Sequence, residues 1–345
     1  MSSGPAGRGS IALALSLVYL IWGSVYLAIR LVIEEVPPLG SMGARFLLAA
    51  LLMAVFLAVR GGWRRLLVTR REACGAAFLG VLLLACGNGL TSIGQLRGVP
   101  SGVTALLVAM VPVWICIYRA LSGERPRPLE LAGVGVGLVG LAVLVLSAGS
   151  TGSSLPLVAM GVIVLSSLSW SFGSWIQPRI RLPRDVYVSA MYQLVAAAVA
   201  MLLASVATGE RFSGGVGLRA WGAFGYLVVF GSIVGFTAYA WLLVHAPLPL
   251  VATHTYVNPV VAVALGAVVL AEPVSPALVV GGMVVLLSVV LVVSAQARPR
   301  GLRAADRSGE ATTMVRDGSG ACPSGSDSLA WTNRRYYHRT KLGKV

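Results

Sequence analysis

Residues 121–141 read LSGERPRPLELAGVGVGLVGL, and residues 270–287 read LAEPVSPALVVGGMVVLL. In the first stretch Glu124 is followed by Pro128 and then Gly133. In the second, Glu272 is followed by Pro276 and Gly281 at the same offsets. Each Glu comes after an apolar run with a proline near its start, Pro112 or Pro259, and each Gly lies early in the next run. Matched punctuation so far apart predicts one unit used twice.

Working outward from these stretches, the chain divides into apolar runs long enough to cross a bilayer, which takes about 20 residues at a rise of ~1.5 Å each. Ten are read, at 11–29, 39–59, 73–95, 100–118, 129–147, 156–176, 186–207, 220–243, 249–271 and 277–295. Pro37 with Pro38, Arg64 with Arg65, Gly123 with Pro126 and Pro128, and the stretch from Gly149 to Ser154 separate them. Unpaired backbone groups are not tolerated in lipid, so the runs are expected to be helices. They lack the period-two alternation of a transmembrane barrel. The expected fold is an all-α integral membrane protein of ten transmembrane helices. The first Glu motif then joins spans 4 and 5, and the second joins spans 9 and 10. Five is odd, so the second unit enters the membrane from the opposite face. The reading is two inverted five-helix repeats, at 11–147 and 156–295, around a central cavity, a common construction of secondary transporters.

Composition agrees. Of 345 residues, 57% are hydrophobic and 11% charged, against about 25% charged in soluble domains. A water-exposed surface cannot hide so much apolar material. The net charge of +15 does not point to nucleic acid, because the basic residues gather between apolar runs and in the C-terminal tail, beside lipid headgroups. With the N-terminal segment 1–10 placed inside, the inner connections and tail hold most of the 27 Arg and Lys, while Arg30, Arg97, Arg211 and Arg219 fall outside. Both termini are therefore expected in the cytoplasm. The segment 298–345 is polar and basic without an apolar run, and is read as a disordered tail. Cys74, Cys86, Cys116 and Cys322 form no CxxC pair, and the first three, in or at the edge of apolar runs, read as small buried apolar residues. Neither a metal site nor a cofactor is expected, and no phosphate-cradling loop is present.

The stretch from Ile21 to Leu52, IWGSVYLAIRLVIEEVPPLGSMGARFLLAALL, resembles the opening of EamA-type members of the drug/metabolite transporter superfamily. Trp22-Gly23-Ser24, Pro37-Pro38 and Arg45-Phe46 carry the likeness, and the two Glu-motif stretches resemble the ends of that family's repeats. The resemblance covers about residues 10–295. It implies a ten-helix carrier with inverted repeats and a central cavity, exporting amino acids, related metabolites or toxic compounds. One departure is Pro273 directly after Glu272, where Arg125 follows Glu124.

Polar groups inside a bilayer are unfavourable unless paired or facing water, which makes each a candidate for the substrate site. Arg45, about six residues into span 2, either faces the cavity to attract a carboxylate, or snorkels, or pairs with Glu34 or Glu35. Asn88, Thr91 and Gln95 share one helix face in span 3, to line a water-filled path or to bond a neighbouring helix. His254 and Asn258 face together in span 9, and Pro259 after them frees a backbone carbonyl. Trp22, Tyr26, Trp170, Trp175 and Tyr192 are cavity or headgroup-belt aromatics, with Trp22 and Trp170 deep enough for the cavity. Gly133 with Gly137, and Gly231 with Gly235, read as close-packing helix faces. No Asp or Glu is placed deep in a span, so only His254 is a candidate for carrying a proton.

These features predict a non-enzymatic carrier of a small molecule in a bacterial cytoplasmic membrane. The alternatives are a membrane-embedded enzyme acting on lipid-linked substrates, and a membrane scaffold or sensor using its tail. The first needs paired acid and base groups, and only Glu34 with Glu35 approaches this. The reading leaves substrate, direction, coupling ion and oligomeric state open.

Overall fold

The computed structural model describes residues 8–148, 157–212 and 214–297. The expected tail, the first seven residues and the connection at 149–156 lie outside them. The described residues form helices joined by short connections, without a strand among them. The helices are α1 (Arg8–Ile33), α2 (Pro38–Gly61), α3 (Arg70–Leu96), α4 (Ser101–Leu121), α5 (Pro128–Ala148), α6 (Leu157–Ile176), α7 (Val186–Ala207), α8 (starting at Leu218 and ending at His245), α9 (His254–Leu270) and α10 (Pro276–Ala297). Among the described residues, nine helices are long and apolar enough to cross a membrane. Large apolar side chains such as Leu13, Leu20, Leu51, Val55 and Val59 are exposed on their outer faces, as an apolar solvent requires.

The ninth expected span is not one continuous helix. A single turn, Leu248–Val251, is followed by a break at Ala252 and Thr253 before the 17 residues of α9 begin. Pro259 lies inside α9, where it cannot donate to the Thr255 carbonyl four residues back. In α4 a proline stands at the break itself: the helix divides into Ser101–Val108 and Val111–Leu121 just ahead of Pro112, which cannot donate to the Val108 carbonyl. A second paired irregularity lies in α3 and α8, which widen to π-helical turns at Gly80–Cys86 and Leu227–Val234. In α8 the hydroxyl of Ser232 donates to the Leu227 carbonyl at 3.0 Å.

Helix pairs pack antiparallel through glycine. Along α2 and α7, Gly40 lies against Ser205 and Gly43 against Leu202. At one end of this pair Glu210 accepts from the Leu39 and Gly40 amides (3.1 and 2.8 Å), satisfying free N–H groups of α2. At the other end Arg65 meets Asp185 at 2.6 Å, and Asp185 caps α7. Along α5 and α10, Gly133 faces Val292, Gly137 faces Ser288, Gly140 faces Val285 and Gly281 faces Leu144. That seam carries a hydrogen bond from Ser288 Oγ to the Gly133 carbonyl at 2.8 Å.

The two Glu-motif residues serve helix ends. Ala271, with φ of +52°, closes α9 in the left-handed conformation, and the Glu272 amide bonds back to the Gly266 carbonyl at 3.1 Å. The Glu272 carboxylate then caps α4, accepting from the Ser101 amide (2.8 Å) and hydroxyl (2.9 Å). Glu124 pairs with Arg119 at 2.8 Å. Pro128 and Pro276 open α5 and α10, where a missing N–H costs nothing.

One expectation fails here. Cys74, near the start of α3, is exposed and Cys86 only half-buried, while Cys116 is buried as expected. Glu130, in the first turn of α5, is buried within a candidate span; it pairs with Arg119 (3.2 Å) and accepts from the Arg127 amide (2.7 Å).

Candidate functional site

The paired breaks converge on one cavity. Its wall takes Ala105, Val108, Ala109 and Val111 from the interrupted part of α4, and His254, Thr255, Asn258 and Pro259 from the start of α9. The π-helical regions supply Leu84 and Gly87 from α3 and Gly231 and Ser232 from α8. Regular helices would present side chains at even spacing. A broken or widened turn brings backbone and small side chains to the surface of a cavity, and π turns recur at functional sites. About 1050 Å³ is free of atoms when the open mouth is counted in.

Seven of the eight residues singled out from sequence line this space: Trp22, Arg45, Asn88, Thr91, Trp170, His254 and Asn258. Arg45 is 3% exposed and does not snorkel. Its Nε donates to Ser232 Oγ at 3.0 Å, and its guanidinium lies 4.9 Å from the centre of the Phe46 ring. No carboxylate among the described residues pairs with it. Glu34 is bound instead to Arg30 at 3.2 Å, and Glu35 accepts from the Gly217 amide at 2.5 Å. Arginine has five N–H donors in a planar fork, so the guanidinium keeps donors for a ligand.

Thr91 donates to the Gly87 carbonyl and shares a 2.7 Å hydrogen bond with Ser166, tying α3 to α6 at the cavity wall. Gly87 lets the Trp170 ring lie against α3, since a Cβ there would sit 2.8 Å from it. Trp22, Tyr239 and His254 form an aromatic corner, with ring centres 4.9 to 5.4 Å apart. His254 Nδ1 lies 2.9 Å from the Val251 carbonyl. A carbonyl only accepts, so Nδ1 bears the proton.

Gln95 is the residue that the structure does not bring to the site. It is fully buried one turn beyond Thr91, where its side-chain amide donates to the Tyr26 carbonyl at 3.1 Å and its backbone carbonyl accepts from Arg30. It fastens α3 to α1. Trp175 and Tyr192 also lie elsewhere. Trp175 stacks under Arg179 at 4.4 Å, and the Tyr192 hydroxyl donates to the Leu66 carbonyl. Tyr26 does line the cavity. Phe236, Ser166, Thr255 and Ser232 join it without having been singled out for it. Their only signal in the sequence was proximity to candidates along the same helices.

Gly231 and Gly235, expected to seat a helix, seat cavity side chains as well. A Cβ on Gly231 would lie 3.1 Å from the Arg45 guanidinium, and one on Gly235 would lie 2.6 Å from Trp22 Nε1. Arg45 and Trp22 are thus held one turn apart along α8.

A cavity enclosed by broken apolar helices, with one buried cation in its wall, has room for a small solute. The EamA-like transporter family profile matches the chain twice, over residues 9–146 and 157–294. The chain belongs to the EamA-like transporter family. Within reach of this EamA-like chain is the uncharacterized inner membrane transporter YedA of Escherichia coli K12, 40% identical over 253 residues, which are 73% of this chain and 80% of YedA. A probable amino-acid metabolite efflux pump of Salmonella typhimurium LT2 is 26% identical over 174 residues, covering 48% of this chain and 52% of the pump. A solved crystal structure, 20% identical, covers 85% of this chain and 99% of its own at a TM-score of 0.58, a likeness of fold. The EamA-like chain is therefore a multi-pass membrane transporter.

Proposed function

We propose that this transporter is a secondary carrier that moves an amino acid or a related amphipathic solute bearing a carboxylate, in the export direction, by alternating access. The carrying observation is Arg45, a guanidinium buried in the cavity wall without a carboxylate partner among the described residues. A buried charge is costly unless it is matched. A solute carboxylate supplies the match through charge-assisted hydrogen bonds. The aromatic corner accepts the apolar part of the same solute.

Two five-helix repeats of opposite orientation are the proposed machinery. The family profile matches once in each half, and α2 and α5 run antiparallel to their counterparts α7 and α10. The proposal has ten spans, with the interrupted α9 as the ninth, and both termini in the cytoplasm, supported by the distribution of Arg and Lys. The bacterial inner membrane is the proposed location, supported by the named location of YedA. Export is supported by the name of the Salmonella relative.

The test is flux of a panel of amino acids and carboxylates in proteoliposomes. Arg45→Ala is expected to lower transport of carboxylate solutes about 10–100-fold, the size of a lost charge-assisted bond. Arg45→Lys is expected to keep part of it. Unchanged kinetics in a folded Arg45→Ala protein would overturn the reading. Accessibility labelling of the α4–α5 and α9–α10 connections is expected on opposite faces of the membrane, and labelling on one face would remove the inverted repeat.

A further inference from the structure

The cavity wall opposite in character to Arg45 is built from acceptors. Asn258 is 9% exposed and its Oδ1 is buried without a hydrogen-bond partner among the described residues. Such an atom is rare in a native structure, and leaving it unmatched costs a large part of its desolvation. One turn earlier on the same helix lies the Thr255 carbonyl. Pro259 stands where its helical donor belongs and has no N–H. In α4, Pro112 removes the donor for the Val108 carbonyl in the same way. Val108, Thr255 and Asn258 all line the cavity. His254 adds another acceptor. Its Nδ1 proton is engaged by the Val251 carbonyl, so in the neutral ring Nε2 carries the lone pair. No Asp or Glu is among the lining residues. The pole therefore offers neutral oxygen and nitrogen lone pairs, with the Trp22 ring centred 5.3 Å from that of His254, an environment whose dipoles attract a cation.

Resting on the carboxylate reading of Arg45, we propose that Asn258, with the carbonyls released by Pro259 and Pro112, is the pole that reads the ammonium group of the substrate. The carrier then selects a zwitterion, gripping its carboxylate at Arg45 and its primary ammonium at the two broken helices. Asn258 is the specificity-determining side chain. It separates an amino acid from the otherwise identical acid lacking nitrogen, because a site built to bond an N–H group rejects the analogue that leaves its acceptors unpaired.

The experiment uses the full chain in nanodiscs and follows quenching of tryptophan fluorescence, since Trp22 and Trp170 line the cavity. The probes are the free L-amino acids, each paired with its deaminated carboxylic acid. At least one amino acid is expected to bind about tenfold or more tightly than its deaminated partner. Asn258→Leu is expected to remove most of that gap, in part by tightening binding of the deaminated acid once no acceptor is left unpaired, and Asn258→Asp is expected to keep the gap. The proposal is overturned if deaminated acids bind as well as amino acids, or if neither set binds the folded protein. It is also overturned if Asn258→Leu leaves the gap intact. The comparison on the unmodified chain decides the matter even where a variant does not fold. Equal binding of both sets, lost in Arg45→Ala, would remove the ammonium pole and leave the carboxylate reading standing.

Discussion

Two pairs of glycines with the same spacing do different work in this protein. Gly133 and Gly137 on α5 let α10 come so close that Ser288 and Val292 fill the space a Cβ would take. Gly231 and Gly235 on α8 open the same kind of gap, and Arg45 and Trp22 occupy it. The first gap closes a seam between two helices. The second sets the position of a charge and an indole inside a cavity. Small residues four apart say how near something can approach. The identity of what approaches is written in the neighbouring helix, and only the fold says which helix that is.

The largest expected effect lies at the seam. Gly137→Leu drives a branched side chain into Ser288 and displaces the donor of the Gly133 carbonyl. Overpacking of this kind costs about 1–3 kcal/mol, and the lost bond adds to it. The measurable outcome is a drop of several degrees in thermal unfolding of the detergent-solubilised protein. A variant with unchanged unfolding would mean that α5 and α10 are not packed as described.

At the seats the order of effects reverses, with transport more sensitive than stability. Gly235→Ala meets the edge of Trp22 at 2.6 Å and a methyl of Ile21 at 3.2 Å, side-chain atoms rather than backbone. Unfolding is expected to stay within a degree or two, while the half-saturation concentration for transport rises about tenfold, or ~1.4 kcal/mol. Gly231→Ala presses Arg45 by only a few tenths of an ångström, and a rise of roughly two- to threefold is expected. If both variants lose stability and keep their transport constants, the glycines of α8 are seam residues like those of α5.

How much of this was legible beforehand follows the same division. The apolar runs, the doubled Glu-Pro-Gly punctuation and the prolines of α4 and α9 are local, and each was readable from residue chemistry. Arg45, Asn88, His254 and Asn258 were readable because a polar group in lipid needs a reason. Gln95 looked equivalent to Thr91 by helical spacing, yet α3 carries it past the cavity to the Tyr26 carbonyl. Periodicity gives the face of a helix but not the depth at which a neighbour covers it. The π turns of α3 and α8 left no compositional mark, and they shift the face presented beyond them. Glu130 escaped notice because its partner Arg119 is eleven positions away, across a turn.

The smallest expected effect is the one that tests whether the comparison is about geometry at all. Gly135 lies between the two seam glycines of α5, and Gly225 lies on α8 ahead of its π turn; a Cβ at either would meet nothing within 4 Å. Alanine is the better helix former by about 0.8–1.0 kcal/mol in water, and neither substitution removes a contact. Gly135→Ala and Gly225→Ala are therefore expected to leave transport unchanged and unfolding unchanged or slightly raised. Equal damage from Gly135→Ala and Gly137→Ala would show that α5 resists bulk on any face. In that case the seam would not be what the glycines of α5 are for, and the contrast with α8 would fail.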